Sequence, residues 1–186
     1  MALAREAITA GAERDLIALI ERCGLIDRGG DRSSFSFGWE YAFTEDVFRR
    51  CPPIPSGFEA VREAAAALAR VEPEDLVQCL LNRYETGSGI DPHTDKGVWE
   101  AVVGVSLGSA CIMDFADQEN PAGEPVAVEL PPRSIYLLSG DARYRFTHAL
   151  RPAPATRWSV TFRSFAPGMP VGAGDEIEAG GSAPEA

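Results

Sequence analysis

Only two histidines occur in this chain of 186 residues, His93 and His148, and both stand where they could serve a metal ion. His93 belongs to the run Asn82-Arg83-Tyr84-Glu85-Thr86-Gly87-Ser88-Gly89-Ile90-Asp91-Pro92-His93-Thr94-Asp95. His93 and Asp95 are two apart, so an extended backbone sends both side chains to one face, where they can grip one ion. A third ligand has to come from elsewhere, and His148 is the other histidine on offer. Two imidazoles and one carboxylate form the facial triad that leaves positions open on ferrous iron. A His-x-Asp pair by itself more often ties a loop together by hydrogen bonds. Asp91 precedes Pro92 and reads as a turn residue.

A second feature weighs toward the metal reading. In Arg157-Trp158-Ser159-Val160-Thr161-Phe162-Arg163, polar and apolar residues alternate strictly, so a strand turns two guanidiniums and two hydroxyls to one side. Arginine forks match carboxylates bidentately, and two on one strand suit a dicarboxylate better than a single ion pair. The plain alternative is an exposed strand face whose charges are solvated.

Further ordered elements accompany these: Asn82-x-Tyr84, Pro92-His93-x-Asp95, Ser106-Leu107-Gly108-Ser109, Met113-x-Phe115, Leu130-Pro131-Pro132-Arg133-Ser134, Leu138-Ser139-Gly140-Asp141-Ala142-Arg143-Tyr144, His148 and the arginine strand. Together they resemble the AlkB family of iron(II)- and 2-oxoglutarate-dependent dioxygenases, over about Leu76 to Phe165. The resemblance implies a mainly β fold with supporting α helices, the double-stranded β-helix or jelly roll. It implies iron(II), 2-oxoglutarate as co-substrate and O2, with His93, Asp95 and His148 as metal ligands and catalytic centre. Arg157 would pair with the distal carboxylate of 2-oxoglutarate, assisted by Tyr84. Asn82 and Arg163 match the positions that meet the carboxylate nearer the metal, and Ser159 stands where several relatives have asparagine. Family members oxidatively demethylate N-methylated bases in DNA or RNA, and in some branches act on proteins. We therefore expect a demethylase of single-stranded methylated nucleic acid, with the same chemistry on a protein side chain or small molecule as the alternative. A metal-binding module without turnover is a third reading, disfavoured by the full set of co-substrate residues.

Composition narrows the setting. The length fits one domain, expected as residues 1–167, with N-terminal helices and an aromatic strand at 10–75, a catalytic core at 76–167 and a disordered acidic tail at 168–186. The start lacks the basic and apolar pattern of a secretory signal, no apolar run reaches spanning length, and Cys23, Cys51, Cys79 and Cys111 are scattered. A cytoplasmic monomer without membrane contact is the expectation. The net charge of −11 is unfavourable for phosphate binding; Asp175, Glu176, Glu178 and Glu185 lie in the tail without any Lys or Arg, leaving the body at −7. Short single strands can still be held by local arginines and aromatic stacking.

The elements that must carry these groups follow from periodicity. Ala10 to Cys23 reads as an amphipathic helix stopped by Gly24, and Phe58 to Arg70 as a second helix capped by Ser56. Phe35, Phe37, Trp39, Tyr41 and Phe43 alternate along one expected strand, Ser33 to Phe43. Most of these rings should be core. Trp39 and Tyr41, with Arg143, are the candidate substrate contacts; Phe37, Arg32 and Arg83 are further candidates. Strands are expected at 76–82, 98–106, 110–115, 126–130 and 134–138.

Overall fold

A computed structural model describes residues 1–29, 31–42, 47–169 and 176–178. In chain order the elements are β1 (Ala2–Ala4), α1 (Ala10–Arg22), β2 (Ile26–Asp27), β3 (Arg32–Phe37), β4 (Trp39–Ala42), β5 (Val47–Arg50), α2 (Glu59–Ala69), β6 (Leu76–Tyr84) and β7 (Ile90–His93). There follow β8 (Trp99–Gly108), β9 (Cys111–Asp117), β10 (Val126–Leu130), β11 (Ser134–Leu138), α3 (Asp141–Tyr144), β12 (Phe146–Leu150), β13 (Arg157–Phe165) and β14 (Glu176–Glu178).

Seven strands form the major sheet in the order β1-β11-β8-β13-β6-β3-β2, and four form the minor sheet in the order β10-β9-β12-β7. All their pairings are antiparallel. This is the expected jelly-roll arrangement. The period of two along the major strands creates two different faces. One face carries Leu81, Val103, Val105, Val160 and Phe162, which pack with Leu16 and Ile20 of α1 and with Phe58, Val61 and Ala65 around α2. Ile20, Phe58 and Phe162 are wholly buried, each contributing roughly 1.5–3 kcal/mol by leaving water. The opposite face meets the minor sheet, where Val102, Leu138, Met113, Phe115 and Leu150 close a second core. The site lies in this second layer.

Helix α1 begins as expected: the Thr9 hydroxyl accepts from the Ala12 amide at 3.1 Å. Helix α2 departs from expectation, because Ser56 opens a 3-10 turn to Phe58 and no side chain caps the helix that follows.

The aromatic run is not one strand. Gly38, at φ 76°, breaks it, sending β3 into the major sheet and β4 into a separate three-stranded sheet with β5 and β14. Phe35 and Phe37 consequently face the helices while Trp39 joins the second core. Phe43 lies outside the described residues.

A further difference concerns the tail, where Glu176–Glu178 pairs with β5 in a stretch expected to be unstructured. Backbone pairing at a sheet edge asks little of side chains, and a Glu-Ile-Glu alternation is too short to stand out from its Gly- and Ala-rich surroundings. The rest of the stretch from 170 onward lies outside the described residues.

Candidate active site

Strand register, more than sequence spacing, brings the candidate metal ligands together. His148 on β12 is the direct cross-strand partner of His93 on β7, and their rings are 4.4 Å apart between centroids. Asp95 follows two residues beyond the end of β7, its side chain 6% exposed. Its Oδ1 accepts from Arg163 Nη2 at 2.7 Å. Its Oδ2 is buried with no partner and lies 3.7 Å from His148 Nε2. Burial opposes the charge on Asp95, yet Arg163, His148 and Arg143 outweigh it and hold the carboxyl below its usual range.

The imidazoles are prepared in different ways. His93 Nδ1 lies 2.9 Å from the Asp91 carbonyl, an atom that only accepts, so Nδ1 carries a proton and Nε2 is the ring atom left for an ion. His148 is kept neutral: burial, set against the attraction of Asp95, takes its pKa down to about 4. One open carboxylate oxygen and two imidazoles are a donor set that fits a divalent first-row metal. Among the described residues no three such groups are already drawn into a coordination cluster. The fit therefore rests on the orphaned Oδ2 and the shared cavity.

A buried cation supports the loop that carries Asp95. Arg143, 1% exposed, donates to the carbonyls of Asp95 at 3.0 Å, of Lys96, and of Trp99 at 3.0 Å. These bonds hold the stretch Thr94-Asp95-Lys96-Gly97-Val98 from within and at its far end, where no strand does so. The sequence offered Arg143 as a substrate contact. In the fold it is spent on carbonyls instead.

A cavity of about 90 Å³ is lined by Asn82, Tyr84, Tyr136, Ser159, Thr161 and Arg163, together with the candidate ligands His93, Asp95 and His148. Asn82, Tyr84 and Ser159 thus gather where the arginine strand required them. Arg157 is 1% exposed, its Nε donating to Ser106 Oγ at 3.3 Å and its guanidinium 5.1 Å from the Tyr84 ring centroid. Both Nη1 and Nη2 are buried without a partner. An uncompensated buried guanidinium costs several kcal/mol, so this is a cation built for an anion. Arg163 also lines this cavity, and its Nε is buried without a partner. Its Nη2 goes to Asp95 and its Nη1 to Gln78 Oε1 at 2.8 Å, which makes it a support of Asp95.

Residues 35–163 match the family model of the 2OG-Fe(II) oxygenase superfamily. The chain belongs to this superfamily. It matches relatives of the AlkB type, in a superfamily that works with iron(II), 2-oxoglutarate and O2. It is 33% identical to a tRNA (carboxymethyluridine(34)-5-O)-methyltransferase alkbh8 of Xenopus tropicalis, over 62% of this chain and 19% of that protein. To the alpha-ketoglutarate-dependent dioxygenase AlkB of Salmonella typhimurium it is 27% identical, over 87% of this chain and 77% of that one. The solved structure of OsALKBH1 superposes with a TM-score of 0.67 at 18% identity, over 87% of this chain and 95% of that one. The chain thus spans about a fifth of the length of the frog relative.

The mouth of this candidate site is an open groove of about 560 Å³ lined by Gly29, Arg32, Gly89, Asp91, His93 and Pro152. Arg32 and His93 line both groove and cavity. Arg32 has no side-chain partner among the described residues, whereas Arg83 pairs with Glu85 at 2.9 Å and with Glu21. Trp39 is 4% exposed and edge-on to Phe165, and Phe37 is buried under the helices. Neither offers a stacking surface. Tyr41 is half-buried between Phe48 and the Lys96 ammonium, which lies 4.5 Å from its ring centroid. Of the residues nominated for substrate, Arg32 is the one that reaches the groove. Sequence reasoning missed Tyr136; the available signal was its place in period two with Ser134 and Leu138, on the side of β11 that faces the cavity. Among the described residues no helix is long and apolar enough to cross a membrane.

Proposed function

We propose that this chain is an oxidative demethylase acting on N-methylated bases in single-stranded DNA or RNA. In this reading His93, Asp95 and His148 hold iron(II), while Arg157, Tyr84, Asn82 and Ser159 hold 2-oxoglutarate. The observation that carries it is the pair of buried Arg157 Nη groups without a hydrogen-bond partner, packed against Tyr84 of a cavity that Asp95, its Oδ2 unpartnered, also lines. When bound, iron(II), 2-oxoglutarate and O2 supply an oxidation that hydroxylates a methyl group, and on nitrogen that product sheds formaldehyde.

The protein's own work is positioning and charge. Arg157 neutralises one end of the dicarboxylate, with Tyr84 across the β13–β6 ladder from it. Arg163 holds Asp95 by one oxygen and so directs the other toward the ion. Arg143 keeps the ligand loop from sagging. At the mouth, Arg32 gives the groove a cation within reach of a phosphate or other anion.

The acidic balance, −11 over the whole chain, favours a second reading in which the same oxygenase chemistry serves a protein side chain or small molecule. A screen of methylated oligonucleotides, methylated peptides and small amines for formaldehyde release decides between them. Formaldehyde from single-stranded oligonucleotides is expected. Turnover of 2-oxoglutarate stimulated only by peptides or metabolites would discard the nucleic-acid reading and leave the oxygenase standing. The scattered free cysteines support a cytoplasmic setting, and a monomer is the simplest form consistent with the reading.

A further inference from the structure

Tyr136 is an odd residue to find in the second core. Its neighbours there are Val102, Met113, Leu138 and Leu150, yet it carries a hydroxyl, and no hydrogen bond reaches that hydroxyl among the described residues. It is 6% exposed and lines the cavity that holds the metal ligands. A hydroxyl at a cavity wall with no protein partner is placed to meet a ligand.

The position of the ring is enforced from below. Tyr136 on β11 pairs with Gly104 on β8, and Gly104 in turn pairs with Thr161 on β13. A Cβ at Gly104 would lie 2.1 Å from Tyr136 Cζ and 2.3 Å from its Oη. The missing side chain is therefore what lets the ring lie across β8, with its hydroxyl reaching toward the arginine strand. Arg157 and Tyr84 both act electrostatically on this hydroxyl, and burial, the larger influence, pushes its pKa up to about 12. It remains a proton donor at any working pH.

We propose that the Tyr136 hydroxyl is a further binding group for the distal carboxylate of 2-oxoglutarate, donating to it beside Tyr84 while Arg157 supplies the charge. This rests on the assignment of Arg157 as the carboxylate partner. Two hydroxyls and one guanidinium converging on a carboxylate satisfy its oxygens without help from water. The same arrangement sets ligand length, because a donor carried on a strand interior has little freedom to follow a longer chain.

The test is ligand discrimination in the manganese(II)-loaded full chain, measured by calorimetry without oxygen. Wild type, Tyr136→Phe and Arg157→Met are titrated with 2-oxoglutarate and with 2-oxobutyrate, which lacks the distal carboxylate. Tyr136→Phe should bind 2-oxoglutarate about tenfold more weakly and 2-oxobutyrate as wild type does, with unchanged manganese affinity and melting temperature. Unaltered 2-oxoglutarate affinity, or equal loss for both ligands, overturns the role of Tyr136. Should Arg157→Met also leave the preference for 2-oxoglutarate intact, the assignment of the carboxylate pocket falls instead. Wild type showing no preference between the two acids has the same consequence.

Discussion

At the scale of single residues, the site depends on polar atoms that the fold buries and leaves open. Asp95 Oδ2 and the Arg157 Nη groups are opposite in charge and alike in being unsatisfied. His148→Ala should abolish stoichiometric manganese or iron binding, and Asp95→Ala should follow it. Asp91→Ala should lose far less, since Asp91 serves His93 through its backbone carbonyl; calorimetric titration of the three variants checks the order. Arg157→Met makes a sharper case because stability and binding should move in opposite directions. Replacing the unpaired buried guanidinium with an apolar side chain should raise the melting temperature of the ligand-free protein. Removing the carboxylate's partner should weaken 2-oxoglutarate by about 3 to 5 kcal/mol, more than a hundredfold. Thermal melts with and without 2-oxoglutarate read both effects. The pairing of His93 with Asp95 as candidates, and the two-faced alternation of the arginine strand, were legible from residue type and spacing. Arg143 was not, because nothing local distinguishes an arginine that binds carbonyls from one that meets solvent.

Among the elements, those with uninterrupted patterns were read well. The expected strands at 126–130 and 134–138 coincide with β10 and β11, where turn residues bound each run on both sides. The aromatic run failed for a conformational reason. Period two continues in the letters across Gly38, while the backbone there turns to φ 76° and exchanges the faces. Gly38→Ala should therefore be strongly destabilising: the φ alone costs about 1 to 3 kcal/mol, and a Cβ would come within 2.0 Å of the Val77 carbonyl oxygen. Urea unfolding of this variant beside Gly29→Ala, where a Cβ meets nothing within 4 Å, separates the collision from the cost of the backbone angle. Similar stability losses in the two would show that the close approach to β6 matters little. Which sheet each strand joins lay beyond the sequence, since long-range pairing leaves no local trace.

For the molecule as a whole, an acidic surface has to coexist with a substrate proposed to be anionic. With Arg32 as the one nominated cation that lines the groove, activity on a single-stranded methylated oligonucleotide should fall with salt along a shallow line, about −0.7 in log–log slope per phosphate contact. Duplex should be poorer, because unpairing costs free energy that few phosphate contacts can return. A steep salt slope, or a preference for duplex, would require a basic surface that these residues do not form. The two sheets also meet unequally at the site. Strand β7 is the rim of the minor sheet, with β12 as its single neighbour, and Pro92 within it has no amide to give. By itself such a rim strand frays. An ion gripped by His93 and His148 fastens exactly that seam, so metal would act as a clasp on the doorway to the groove as well as a centre of reaction. Amide exchange at Ile90, Asp91 and His93 should quicken severalfold when a chelator strips manganese from the protein, while β8 stays protected. Equal exchange with and without the chelator would mean that the doorway holds itself shut.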